Sequence, residues 1–480
     1  MKSNLISELS LHSIWYFIGG LLNNGLALLL LPYLSQKLTP AEYGIVQTAN
    51  SIGLCLPILF SLHIESAFAR FYHDKKNNFN SIKVLYSTCF WFIVFSGTIV
   101  LSFLTYTASY WFRQIFDVGP YPYIFLITYP YLFYQIAYLG STYLRQSLHV
   151  KRVASIDFIS SLINLSLSLY LVCVWSDGAE ARLTAIAISF LVKAIYYICF
   201  SIRKKMLSFA FDFYELKELL RFSVPLLPSA LSLWLSKMAD RIIISIYIGT
   251  TATGLFSVAN QISLIVYFLQ DSVLQALNPI QMDGLIKGKE KAIIYTVILS
   301  EIMWIVMLGI VLSIGLFSDY LLNWFVNERF HTSSILIIIL SSVYIIQAQY
   351  RIFSGILIFH KKTKEYSYAA IVQSVISVAL NLLLIPHLGY EAAAYTSLLS
   401  IIIFLVIMMY YVCRLEKGIA IDYVFVCKYL FLFCACLLVN YSVMNINNYP
   451  LLIILVKIGI LLIFSFCSFK SVLSRIKILK

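Results

Sequence analysis

Six polar residues interrupt an otherwise apolar run near the middle of the chain. Ser229, Ser232, Ser236, Lys237, Asp240 and Arg241 recur at steps of three and four, which on a helix is a single stripe. Such a stripe has two readings. Either it faces a cavity, where the Lys237 ammonium and the bidentate Arg241 guanidinium can hold a phosphate or carboxylate, or Asp240 neutralises one of them locally and the stripe locks helix packing. Lys193 and Arg351 stand in comparable apolar surroundings and carry the same two readings. Among the acids, Glu65, Asp240 and Glu301 are candidates for ion coupling, because a carboxylate inside a helical bundle can carry a proton or hold a cation; pairing with arginine is the alternative for each, and for Asp271. Arg70, closing the Glu65–Arg70 segment, either meets a phosphate at the membrane surface or is an ordinary surface cation. Asn23 and Asn24, flanked by Gly19, Gly20 and Gly25, offer a polar groove or helix–helix hydrogen bonds. No GxxxxGK[ST], HExxH or CxxC pattern occurs, and the nine cysteines lie in or beside apolar runs without ligand spacing, so neither a metal nor a catalytic centre is expected.

These residues must be positioned by elements that lie in lipid. Of 480 residues, 61 % are apolar and only 12 % charged, too few to coat a water-soluble fold, where about 25 % is usual. Fourteen stretches are long enough to cross a bilayer: 12–35, 45–69, 84–107, 121–144, 153–175, 183–202, 222–248, 252–280, 292–316, 333–359, 367–386, 391–412, 423–444 and 449–469. Each is expected to be a helix, which satisfies its backbone polar groups internally. The first is too long for a cleavable leader and lacks a small-residue cleavage site, so it is read as a span.

The net charge of +13 reports orientation. With both termini in the cytoplasm, twenty-five of the 35 basic residues fall in inner segments and only Lys37, Arg113, Arg182 and Arg329 in outer ones. Nucleic acid is therefore not needed as a partner. The six that remain (Lys193, Lys237, Arg241, Arg351, Lys428 and Lys457) sit inside spans, where a charge at the bilayer centre costs about 2.5–3.5 kcal/mol and demands a reason. The loops are too short to hold a membrane glycosyltransferase, polymerase or ligase site. Residues 206–221 read as an amphipathic connector along the inner leaflet.

An internal echo organises the spans. Tyr43–Leu54 matches Thr253–Leu264 at an offset of 210, with Gly44/Gly254, Ala49/Ala259, Asn50/Asn260, Ile52/Ile262 and Leu54/Leu264 identical. The expected architecture is an all-α polytopic membrane protein: a six-helix bundle over 1–205, the connector 206–221, a parallel six-helix bundle over 222–412, and two further helices with a basic tail over 413–480. Coincidence in apolar sequence is the competing account of the echo.

Several segments resemble one family. Leu31-Pro-Tyr-Leu-Ser-Gln-Lys-Leu-Thr-Pro-Ala-Glu-Tyr-Gly44, Glu65-Ser-Ala-Phe-Ala-Arg-Phe-Tyr72, Ala239-Asp-Arg-Ile-Ile-Ile-Ser245 with Gly249, and Thr253-Gly-Leu-Phe-Ser257 are similar to the polysaccharide-unit (Wzx-type) flippases, relatives of the MATE drug exporters, over residues 10–410. The resemblance implies a transporter, not an enzyme. It would turn undecaprenyl-pyrophosphate-linked oligosaccharides from the cytoplasmic to the periplasmic leaflet of a bacterial inner membrane, for O-antigen or capsule synthesis. It implies alternating access through a cationic cavity, a proton or sodium gradient in place of a cofactor, and membrane lipids, a polysaccharide polymerase and a chain-length regulator as partners. A MATE-like exporter of small cations would require an acidic cavity instead. A major-facilitator porter would carry a GxxxDRxGRR-like segment after span two, and none is present.

Overall fold

A computed structural model describes residues 25–26, 28–174, 178–331, 334–416, 422–446 and 450–479; Asn23 and Asn24 lie outside them. All regular structure in the described residues is helical. The first unit holds α1 (28–37), α2 (Pro40–Gly53), α3 (Leu56–Ser61), α4 (Ile64–Lys75), α5 (Phe79–Phe116), α6 (Tyr123–Gln146), α7 (Val150–Val174), α8 (Gly178–Arg203), α9 (Phe213–Ser223), α10 (Leu227–Tyr247) and the start of α11 (Thr250–Ile286). The second holds the rest of α11, then α12 (Lys289–Phe325), α13 (Ser334–Phe359), α14 (Thr363–Leu388), α15 (Ala392–Leu415), α16 (Tyr423–Ile446) and α17 (Pro450–Leu479). Among the described residues eleven helical segments are long and apolar enough to cross a bilayer, and the chain is a multi-pass membrane protein. The units divide at Leu255/Phe256, beyond the connector at 206–221, because α10 packs on α2 and α5 of the first unit.

The expected second span, 45–69, is broken. Pro57 opens α3, and Leu62 and His63 then adopt left-handed φ values of 47° and 62° before α4 begins. A break in lipid is tolerated only when freed backbone groups find partners. Here Ser96 of α5 donates to the Phe60 carbonyl, and the Ser61 hydroxyl accepts from His63 N–H at 3.1 Å. The break turns Glu65, in the first turn of α4, into the bundle.

The two echoed segments meet. Thr39 caps α2 in a capping box: its hydroxyl accepts from Glu42 N–H (3.3 Å) and the Glu42 carboxylate accepts from Thr39 N–H (2.7 Å), with Pro40 at the first helical position. The start of α11 is capped from a distance, by Asp117 at the end of α5, which accepts from Thr250 N–H at 3.2 Å. A Cβ at Gly44 would lie 1.8 Å from the Thr250 carbonyl oxygen, and one at Gly254 would lie 2.0 Å from the Pro40 carbonyl oxygen. The contact is reciprocal at the 210-residue offset, so each glycine admits the backbone four residues ahead of its counterpart.

The amphipathic connector contains α9, capped by Asp212, whose carboxylate accepts from Tyr214 N–H at 2.8 Å. It is tied to α4 by the Lys75–Glu215 ion pair and buries Leu219, leaving Phe209, Phe213 and Tyr214 exposed as an apolar face. In the second unit, α17 runs antiparallel to α12. Two ion pairs join them, Lys457–Asp319 at 4.0 Å and Arg475–Glu301 at 2.9 Å, spaced eighteen residues apart on each helix. Eighteen residues are five helical turns, so both pairs lie on one face. The last two helices are thus built into the second unit.

Gly44→Ala and Gly254→Ala should each destabilise the protein by more than the usual ~1–3 kcal/mol of an overpacked core, because the clash is with backbone. Gly459→Ala, with open space around it, should be neutral or slightly stabilising. Thermal unfolding of the purified variants measures this. Arg475→Ala should cost about 3 kcal/mol by leaving the buried Glu301 carboxylate without its cation, and the further change Glu301→Gln should recover part of that loss.

Candidate functional site

In the first unit a polar seam runs between α7 and α8, flanked by α6. On α7, Asp157, the adjacent Ser160 and Ser161, Asn164 and Ser168 recur about once per turn; on α8, Arg182, Ser189 and Lys193 share a face. The helices are antiparallel, so the stripes pair in reverse order. Lys193 Nζ lies 2.6 Å from Asp157 Oδ1, and Asn164 Nδ2 donates to Ser189 Oγ at 3.1 Å. Arg182 Nη1 donates to Asn164 Oδ1 at 2.8 Å and to the Ser168 hydroxyl.

Two cavities open along this seam. The larger, about 270 Å3, is lined by Tyr134, Tyr138 and Arg145 of α6, by Asp157 and by Lys193. The Tyr134 and Tyr138 rings are stacked, 6.3 Å between centroids at 15°, and the Arg145 guanidinium lies 5.8 Å from the Tyr138 ring centre. Arg145 Nη2 reaches to 4.0 Å from Asp157, while its buried Nε has no hydrogen-bond partner. The smaller cavity, about 140 Å3, contains Asn164, Arg182 and Ser189, and shares Ser160, Ser161 and Phe190 with the larger. Across both, three cations face one carboxylate. Charged donors, serine hydroxyls and stacked tyrosines together suit an anionic, polyhydroxylated ligand. Among the described residues no cluster of His, Cys, Asp and Glu forms a metal site.

Glu65 lies near this seam but outside its cavities. Its carboxylate is buried, accepts from Gln135 Nε2 at 3.1 Å and lies 3.1 Å from His63 Nδ1. The left-handed residues of the break therefore deliver both halves of the His63–Glu65 pair.

The other expected residues are dispersed. Arg241 is buried on α10; its Nη1 donates to the Lys237 carbonyl at 3.3 Å and lies 3.2 Å from Met238 Sδ, and its Nε is unpartnered. Asp240 keeps one buried carboxylate oxygen without a hydrogen bond, and the Lys237 side chain is exposed. Ser229 and Ser232 of the same stripe bond back to carbonyls of their own turn, which is a packing role. Arg70 is exposed and pairs with Asp74 at 2.8 Å. In the second unit, Arg351 pairs with Asp271 at 2.8 Å, and Glu301 is taken by Arg475.

Sequence reasoning placed Arg182 in an outer segment and did not single out Arg145 or Asn164. In the structure α8 begins at Gly178, so Arg182 is one turn inside it and half-buried against α7. The missed signal was the polar stripe on α7, which has the same spacing as the stripe read on α10.

The relatives of the chain can now be placed. The polysaccharide biosynthesis protein family matches residues 12–282. The chain belongs to that family. A curated relative, Lsg locus putative protein 1 of Haemophilus influenzae, is 23 % identical over 390 residues, covering 76 % of this chain and 89 % of that protein. Among solved structures, the lipid II flippase MurJ in an inward closed conformation is similar with a TM-score of 0.75 at 14 % identity, covering 96 % of this chain and 99 % of its own. An inward-facing multidrug resistance MATE transporter of the MOP superfamily is similar at 0.65, also 14 % identical, over 83 % of this chain and 96 % of its own. This member of the polysaccharide biosynthesis protein family thus shares its fold with those two membrane proteins.

Asp157→Asn should destabilise the family member by about 1–3 kcal/mol, since it strands Lys193 and Arg145 in a partly buried site. Lys193→Met in that background should restore stability, giving a favourable coupling in a double-mutant cycle of thermal or denaturant unfolding.

Proposed function

We propose that the chain is a flippase that carries undecaprenyl-pyrophosphate-linked oligosaccharide repeat units from the cytoplasmic to the periplasmic leaflet of a bacterial inner membrane, with both termini cytoplasmic, by alternating access. The glycan then serves O-antigen or capsule synthesis, handed on to a polymerase and its chain-length regulator. The family match supports the polysaccharide context, and one structural neighbour is a lipid II flippase.

The observation that carries the reading is the sign and chemistry of the larger cavity. Arg145 and Lys193 outweigh Asp157, and two stacked tyrosines stand beside them. An exporter of organic cations needs the opposite sign. A saccharide with acidic groups finds guanidinium and ammonium donors for its charges and tyrosine faces for its rings. Glu65, hydrogen-bonded to Gln135 and beside His63, is the buried carboxylate best placed to couple translocation to a proton or sodium gradient. Glu301, Asp271 and Arg351 are held in ion pairs with partners in their own unit, which suits them to packing.

Reconstitution into liposomes carrying a fluorescent undecaprenyl-pyrophosphate oligosaccharide tests this directly. Protein-dependent exposure of the glycan on the opposite leaflet is expected. Arg145→Ala or Lys193→Ala should slow exposure about 10- to 100-fold, the worth of one charge-assisted hydrogen bond. Arg70→Ala, already paired with Asp74 at the surface, should change it less than about twofold. No exposure with several authentic glycans, with or without an imposed gradient, would overturn the reading. Arg241→Ala and Lys237→Ala in the same assay decide whether the α10 stripe also meets substrate.

A further inference from the structure

Among the described residues, the smaller cavity holds an uncompensated charge. Arg182 is held between α7 and α8 and, of the described residues, only neutral groups accept from it, the Asn164 side-chain Oδ1 and the Ser168 hydroxyl, both through Nη1. Its Nε is equally buried and has no partner. Among the described residues no carboxylate lines the cavity: the polar wall is Ser160, Ser161, Asn164 and Ser189, and the rest includes Leu26, Leu30 and Phe190. Asp157, farther along the seam, is engaged by Lys193 at 2.6 Å. Asn164 is oriented for its task, because its amide nitrogen donates to Ser189 and its oxygen is thereby turned to the guanidinium. A guanidinium keeps its charge in any protein environment, so deprotonation is not a way out. Neutral hydrogen bonds satisfy donors but do not cancel a charge in a low-dielectric interior.

We propose that the Arg182 cavity is a binding site for a small, singly charged anion, chloride or a carboxylate, which completes the neutralisation of Arg182. One unbalanced positive charge calls for one negative charge. A volume of about 140 Å3 holds on the order of ten waters and so admits either ion. Arg182 Nε and the hydroxyls of Ser160 and Ser161 supply donors, and the apolar wall of Leu26, Leu30 and Phe190 strengthens the attraction by excluding water. The carboxylate could arrive free or as part of an acidic sugar. The site itself does not rest on the flippase reading, since its readout is binding and not transport.

Thermal unfolding of the purified full-length protein tests it, at constant ionic strength maintained with a bulky organic sulfonate. Replacing part of the sulfonate with chloride, and separately with glucuronate, should raise the midpoint along a saturable curve by about 2–4 °C. Arg182→Gln should flatten that curve. Asn164→Asp is the second variant: it places a carboxylate at the position now 2.8 Å from the guanidinium, so it should abolish the anion response and unfold, without added anion, near the anion-saturated wild-type midpoint. A response to both anions supports a general monoanion site, to glucuronate alone a sugar-acid site, and to chloride alone a halide site. A flat wild-type response, or an undiminished response in Asn164→Asp, overturns the proposal even if Arg182→Gln fails to fold.

Discussion

In hydrocarbon a charged side chain cannot fall back on water, and most of the polar architecture of this protein follows from how each charge is met. Arg351 meets Asp271, Arg475 meets Glu301, Lys193 meets Asp157, and the fully buried Lys457 meets Asp319 across 4.0 Å with the Tyr320 ring 4.7 Å away. Each pair joins two different helices, so the requirement for neutrality also selects which helices pack together. The antiparallel docking of α17 on α12 through two pairs on one face is the clearest case. Where the pairing is incomplete, along the seam of α6, α7 and α8, the surplus is positive. That surplus is what makes the seam a candidate site.

Backbone geometry sets the other constraint. The crossing of α2 and α11 at Gly44 and Gly254 brings main chains within a distance that no Cβ tolerates, and it joins the beginnings of the two echoed segments. Close approach of this kind compensates for the absence of a hydrophobic driving force between helices in lipid. The broken second span works differently. It spends helix continuity, with left-handed backbone at Leu62 and His63, and recovers the lost bonds from Ser96 and Ser61. The result is a carboxylate, Glu65, aimed sideways at Gln135 of α6 and beside the histidine of the break.

The seam and the break place the polar chemistry of the described residues in the first unit, while Arg351, Asp271, Glu301 and Arg475 in the second are held in ion pairs. Tyrosines, serines and an excess of cations are suited to a ligand that is both hydroxylated and acidic, in keeping with a polysaccharide biosynthesis protein. The isolated guanidinium of Arg182 then has a role of its own in the site, because a small anion there changes the charge that any larger ligand meets in the adjoining cavity, with which it shares Ser160, Ser161 and Phe190.

Hydropathy, helical spacing and the basic bias of the loops are sums over neighbouring residues, so the sequence alone determined the all-helical membrane class and a helix for nearly every expected span among the described residues, and it marked Gly44 and Gly254. The same local reading found Lys193 and Glu65, because a charge inside an apolar run is conspicuous by itself. It could not find that Arg145 and Arg182, which sit where loops were expected, turn inward, nor that Arg351 and Glu301 are already occupied. Those outcomes depend on which helix lies alongside, and the partners are far apart in the chain, as Glu301 and Arg475 are. Tertiary structure alone decides them, because a charge buried in lipid is defined by the group that faces it across a helix interface and not by its neighbours in sequence.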